Sequence, residues 1–280
     1  MEGQSVPGKT QTKHGMKTVA VMSGVYFLLY IAVNILMGIS DPMNAQQFSW
    51  LLLMIFSFVS AGYLLKKHKF PSKKGIIASA VISAVFSLSI IVRFSSNGIF
   101  CFVNLALLFL ASCASMSVFE KYPGNALRIA DTSKKYSIPV SIAAGIGVGA
   151  VLSVINYFLA IRSRTPERGD VILSFLKALE PATVEEMAFR TVFYALCLSC
   201  AGGEFINKRQ KIASYFMMVF PHVIPHVVYT GSLVKWLISV LILSLIFGLA
   251  FAVMQKKRDI LSAMIAHGTV DLVRFIIFNS

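Results

Sequence analysis

Apolar runs long enough to cross about 30 Å of hydrocarbon, roughly 20 residues as a helix, recur along almost the whole of this 280-residue chain. Nine are read, near residues 17–39, 48–65, 75–93, 98–118, 138–161, 182–200, 211–230, 233–254 and 259–277, with a short extra helix at "VILSFLKAL", Val171 to Leu179. Inside a bilayer every backbone N–H and C=O has to be paired within its own segment, so runs of this length are helices. The expected fold class is all-α, a multi-pass transmembrane helical bundle of about eight to nine helices.

Hydrophobic residues make up 56% of the chain and charged ones 14%, and the mean hydropathy is +0.74, an apolar share above that of a soluble domain. No long polar stretch interrupts the runs, so neither a soluble domain nor a linker is expected, and no internal repeat is visible. One bundle uses the chain: four N-terminal helices within residues 1–138 carry no recognised motif, and residues 139–280 form the core that does. Lys9, Lys13 and Lys17 ahead of the first run resemble the basic start of a signal peptide. The run is too long for a signal core and "GISDPMN" after it has no small-residue cleavage site, so it is read as a retained anchor.

The net charge of +14 would suit a nucleic-acid partner, but eighteen of the 26 Lys and Arg fall in the N-terminus and in alternate connections. Those connections are "KKHKFPSKK", "EKYPGNALRIADTSKK", "NKRQK" and "QKKR". This is the distribution the positive-inside rule dictates, and basic loops beside anionic head groups of the lipid bilayer need no nucleic acid. It places the chain in the cell membrane with the N-terminus in the cytoplasm and, after nine spans, the C-terminus outside. "RSRTPERGD", with three Arg on the outer side, runs against the pattern. Cys101, Cys113, Cys197 and Cys200 all lie within spans; "CLSC" has redox or metal spacing, but in an apolar helix it reads as small buried hydrophobes, and no function is assigned to it.

The informative stretch is "ATVEEMAFRTVFYALCL", Ala182 to Leu198, where Glu185, Glu186 and Arg190 stand at the head of a span. Each charge at a helix centre costs about 2.5 to 3.5 kcal/mol on insertion scales. Glu186 and Arg190, four apart, share a helical face and can pair; Glu185, about 100° around the axis, is left to look elsewhere. A cap on the helix's amino end would explain the glutamates and leave Arg190 unexplained. The seventh span offers His222 and His226 in "FPHVIPHVVYTG", and the ninth His267 and Asp271 in "SAMIAHGTVDLV", each pair again four apart. Any one buried His is more often a hydrogen-bonded core residue than a catalyst. Six ionisable positions (Glu185, Glu186, Arg190, His226, His267 and Asp271) at even ~2 kcal/mol each would rival a domain's ~5 to 15 kcal/mol stability, which calls for partners or a task. A carboxylate and two imidazoles converging in a water-accessible pocket are the parts that deprotonate a water, aim it at a carbonyl and stabilise the oxyanion.

At these residues the chain resembles the CAAX-processing and bacteriocin-processing family of intramembrane endopeptidases, also called Abi proteins. The family's motifs are Glu-Glu-x-x-x-Arg, Phe-x-x-x-His and His-x-x-x-Asn or Asp on successive membrane helices. "EEMAFR" (Glu185 to Arg190) matches the first and "HGTVD" (His267 to Asp271) the last, while "LIFGLAFAVMQKKRDILSAMIAHG" (Leu245 to Gly268) is similar to the family's approach to its final helix. The resemblance covers roughly residues 139–280. Thr191 stands where many members have Gly, and neither middle histidine has Phe four residues before it; His226 is taken for that position, with His222 one turn below as the alternative.

The resemblance implies an endopeptidase in which Glu185 is the general base on water and His226 helps to hold that water. His267 and Asp271 surround the oxyanion, and Glu186 with Arg190 fixes the helix. No cofactor is certain; His and Glu from separate helices are also zinc ligands, though no His-Glu-x-x-His element is present. The substrate class is a peptide or protein cut near the membrane face, in maturation of a bacteriocin-like peptide or self-immunity to one. The rivals are a proton-linked transporter using the same groups as a relay and an inactive member that acts as an immunity binder.

Overall fold

The computed structural model describes residues 9–37, 41–132, 137–162, 164–229 and 231–279, without the side chains of 9–14 and 91–97. Lys134 and Lys135 of the connection "EKYPGNALRIADTSKK", and residues 38–40 of "GISDPMN", lie outside the described residues. The described residues are helical or irregular, with no strand. In order the helices are α1 (Lys9–Met37), α2 (Pro42–His68), α3 (Lys73–Lys121), α4 (Ser137–Ala160), α5 (Val171–Glu180), α6 (Val192–Cys200), α7 (Lys208–Val223), α8 (Leu233–Leu243), α9 (Leu249–Lys257) and α10 (Ile260–Phe278).

Among the described residues seven stretches are long and apolar enough to cross a bilayer, the multi-pass all-α bundle expected. Two of them are the arms of α3, Lys73–Ile90 and Gly98–Lys121. Ser72, ahead of the first arm, donates its N–H and hydroxyl to Glu120 at 2.8 and 2.7 Å. The ends of a straight 49-residue helix would stand about 72 Å apart at 1.5 Å per residue, so the two arms run antiparallel.

The expected runs 182–200 and 211–230 take a different form. Every residue of α6 is buried, so this helix is wrapped by protein rather than lipid. α7 begins earlier than expected and ends at Val223, followed by a single 3₁₀ turn, Ile224–His226. Pro225 is the reason: it has no N–H for the Pro221 carbonyl, which instead accepts from Tyr26 Oη at 2.9 Å, while Tyr30 Oη donates to the Ile224 carbonyl at 2.9 Å. α1 thus closes the broken end of α7.

One apolar core runs through Val19, Leu53, Leu107, Met187, Met217, Ala252 and Ile260, joining α1, α2, α3, α7, α9 and α10 around the segment that leads into α6. α10 lies on α4 along Ser137, Ser141, Gly145, Gly149 and Ser153, a buried small residue every four positions. A Cβ on Gly145 would come 2.8 Å from the Ser262 carbonyl and one on Gly149 2.7 Å from that of Ala266, so the two backbones cross in contact, as small-residue stripes permit in membranes. At the other end of α10 the Ile277 and Ile276 carbonyls accept from the Glu167 and Gly169 N–H groups, both at 2.8 Å. This satisfies orphan carbonyls of the helix end and ties the lead-in of α5 to α10.

The basic ends gather on one face. Lys67 Nζ donates to the Ser199 carbonyl at 3.2 Å, Asn125 to the Gly203 carbonyl at 3.1 Å and Lys256 Nζ to Tyr194 Oη at 2.6 Å. α2, the second arm of α3, α6 and α9 end there, and α7 and α10 begin there.

Candidate active site

The polar cluster is built on a helix that does not stay α-helical. α5 continues through two π-helical turns, Pro181–Glu185 and Met187–Thr191, into α6. π turns widen the helix locally and recur at functional sites; here they carry Glu185, Glu186 and Arg190. Pro181, at the first position of the first turn, has no N–H to extend the α pattern. Thr191 Oγ1 reaches back five residues to the Glu186 carbonyl at 2.7 Å, so threonine closes the second turn.

Glu186 and Arg190 are both 0% exposed, with Glu186 Oε2 accepting from Arg190 Nε at 3.0 Å. That pair is the one expected from their spacing, and the surrounding helices complete it. Gln255 Nε2 donates to Glu186 Oε2 at 2.8 Å, and His267 Nδ1 lies 2.8 Å from Oε1. Arg190 Nη1 donates to the carbonyls of Met218 at 2.9 Å and Gly248 at 3.0 Å. A buried charge is tolerated only when its hydrogen bonds are made, and this one is held by α7, α9 and α10 together. Gly248, the last residue of a third π turn, Ser244–Gly248, is required for that reach: a Cβ there would stand 2.7 Å from Val219 Cγ1 and 3.0 Å from Val223 Cγ2.

The remaining guanidinium nitrogen, Nη2, lies 3.1 Å from His222 Nδ1. A guanidinium only donates, so His222 Nδ1 accepts and Nε2 bears the ring proton. That proton points at Glu185 Oε2, with which His222 Nε2 forms a short hydrogen bond. His226 Nε2 stands 3.6 Å and His267 Nε2 3.5 Å from the same oxygen. Asp271 Oδ2 lies 3.3 Å from His267 Nε2. All seven residues singled out in the sequence therefore meet, and of the two middle histidines it is His222 that is hydrogen-bonded to Glu185. His226, with its side chain 34% exposed, stands at the rim, its ring edge-on to Trp50 at 4.9 Å. Phe251 stacks on His267 at 4.7 Å.

Two cavities adjoin the cluster. One of about 230 Å³ is lined by Glu185, His222, His226, His267 and Asp271 among others. The second, about 650 Å³, is mostly apolar, with Trp50, Leu51, Met54, Phe100, Phe189 and Phe275 in its wall. Glu185 and Arg274 line both. The arrangement can hold a water between a carboxylate and imidazoles and present an apolar chain beside it.

Glu185, His222 and His226 offer one ligand atom each, all within 4.8 Å of one another, a spacing one cation could share. His222 does not fit that role. A metal on Nε2 would displace its proton, and Nδ1 would then have to donate, as second-shell geometry requires, into a guanidinium that accepts nothing. Zinc is accordingly given no step in the chemistry below.

Sequence reasoning did not reach Gln255, Arg274, Trp50 or the Gly248 and Met218 carbonyls. Gln255 had a signal, a polar residue directly before the basic end of an apolar helix. The carbonyls had none, because backbone acceptors leave no mark in side-chain pattern.

Compared with known proteins, residues 167–273 match the family model described as Rce1-like, type II CAAX prenyl endopeptidase Rce1-like. No curated protein and no solved structure matches the chain.

Proposed function

We propose that this chain, whose residues 167–273 match a model of the CAAX prenyl endopeptidase family, is an intramembrane endopeptidase of that kind in which Glu185 is the base. The observation that carries this reading is the convergence of three imidazoles on Glu185 Oε2, at the wall of a 230 Å³ cavity. Water held between Glu185 and His226 gives a proton to the carboxylate as its oxygen bonds to the scissile carbonyl carbon, and the C=O electron pair moves onto oxygen. Collapse of that oxyanion breaks the C–N bond, and the proton passes to the leaving amine. His222 donates to Glu185 and aims it; Glu186 and Arg190 fix the helix; His267 lies beside the oxyanion.

With the basic face against the cytoplasmic leaflet, the N-terminus is cytoplasmic and the C-terminus outside. Glu185, fifteen residues before Cys200, then lies about 22 Å of helix rise from that face, in the outer half of the membrane. A substrate met there is a peptide or protein segment displayed outside, which favours work on a bacteriocin-like peptide, in maturation or self-immunity, over a cytosolic prenylated protein.

Purified protein in detergent, incubated with a library of membrane-associated peptides and read by mass spectrometry, is expected to yield cleaved products. Wild-type protein that cleaves nothing, while cells remain protected by Glu185→Gln, would replace this reading by an immunity binder; proton-linked uptake without proteolysis would replace it by a transporter.

A further inference from the structure

Asp271 occupies the position at which a residue beside the oxyanion would donate a hydrogen bond, and it is in no condition to do so. Its Oδ1 forms an ion pair with Arg274, 3.1 Å from Nη2, and its Oδ2 faces His267 Nε2 at 3.3 Å; an ionised carboxylate paired in this way only accepts. An amide in the same place would have an N–H to offer. The donor has to come from elsewhere.

Arg274 is one helical turn further along α10. It lines both the 230 Å³ cavity and the larger apolar one, as Glu185 does. Its side chain is 31% exposed, yet its Nε is buried with no hydrogen-bond partner among the described residues. A buried guanidinium N–H left unpaired costs free energy unless a ligand supplies the acceptor, and here it is carried by a cation at the boundary of the two cavities.

We infer that Arg274 is a further catalytic residue, whose guanidinium takes the negative charge that develops on the scissile carbonyl oxygen. This inference rests on the endopeptidase reading above. Arg274 does for this chain what an uncharged donor at position 271 would do, and Asp271 is the residue that holds it in place. The charge on the tetrahedral intermediate is met by a cation that Asp271 already holds in place, and preorganised donors of this kind stabilise developing charge.

The test uses the full-length protein and a peptide it cleaves. Arg274→Gln is expected to lower kcat by about 100-fold, the typical loss of one oxyanion donor, with KM changed by less than about threefold, as for an interaction made only in the transition state. Arg274→Lys, which keeps the charge, is expected to recover most of that loss. Adding Asp271→Asn to Arg274→Gln should restore kcat by about tenfold or more, because the amide brings back a donor. Rates are taken per monodisperse protein, so loss of folded material does not enter kcat. Were Arg274 only a brace for Asp271 and His267, the double variant would be no better than Arg274→Gln, and that result would overturn the assignment. So would an unchanged kcat in Arg274→Gln while the wild type cleaves, which leaves the endopeptidase reading standing. A wild type that cleaves nothing removes both.

Discussion

Arg190 Nη2 lies 3.1 Å from Nδ1 of His222, and because one partner can only donate, this contact fixes which nitrogen of the histidine carries the proton. The proton then falls on the nitrogen facing Glu185. A charge buried for structural reasons thereby sets the hydrogen-bonding direction of the group proposed to do the chemistry.

If Glu185 is the base, Glu185→Gln keeps the shape and still accepts from His222 through its amide oxygen, but it no longer takes a proton from water. Peptide cleavage should fall by ~100-fold or more, while expression level and elution as a single species are unchanged. Activity within tenfold of wild type would assign the base elsewhere.

Glu186→Gln and Arg190→Lys should act on the fold first. The pair is 0% exposed on both sides, and removing one partner of a buried pair typically costs about 3 to 5 kcal/mol. Lysine keeps the charge but cannot reach Glu186, two carbonyls and His222 at once. Both variants are expected to lower the thermal unfolding midpoint and the yield of monodisperse protein; a midpoint equal to that of Glu185→Gln would argue against this structural role.

His222 and His226 should separate in the same two measurements. His222→Gln removes the ring that Arg190 orients, so it should lose about 100-fold in cleavage and also unfold at lower temperature. His226→Gln, at the rim, should lower cleavage with little change in unfolding. Since the His222 tautomer opposes ligation, a chelator such as EDTA or 1,10-phenanthroline is expected to leave the rate unchanged; a loss restored by zinc would contradict that tautomer.

Gly248→Ala puts a methyl 2.7 Å from Val219 Cγ1, in the contact that lets Arg190 reach both helices. Overpacking of this kind costs about 1 to 3 kcal/mol, and cleavage should fall with stability. Val219→Ala in the same chain is expected to recover both, which unfolding and turnover measured side by side would reveal.

Membrane orientation is tested with single cysteines in a chain cleared of its own. Labelling by an impermeant reagent on intact cells should succeed within "SDPMNAQQ" and fail within "KKHKFPSKK". The reverse pattern would turn the site toward the cytosol and restore prenylated cytosolic substrates.

What the amino-acid sequence determined by itself is what depends on spacing along one segment. The apolar runs announced the helices; Glu186 and Arg190 announced their pairing; three stripes of ionisable residues announced a shared pocket, since isolated charges there would be too costly. Tertiary structure decided whatever needed a second segment or a bent backbone. Three π turns changed the phase of helices that regular periodicity treats as uniform, and with it which carbonyls face Arg190. Pro225 ended α7 inside an apolar run, and α6, apolar enough to read as lipid-facing, is buried by its neighbours. Which of His222 and His226 hydrogen-bonds to Glu185 was set by a contact between residues 37 positions apart. Hydrophobic pattern records that a face is buried; which partner buries it, and through which atom, is set by the packing of the other helices.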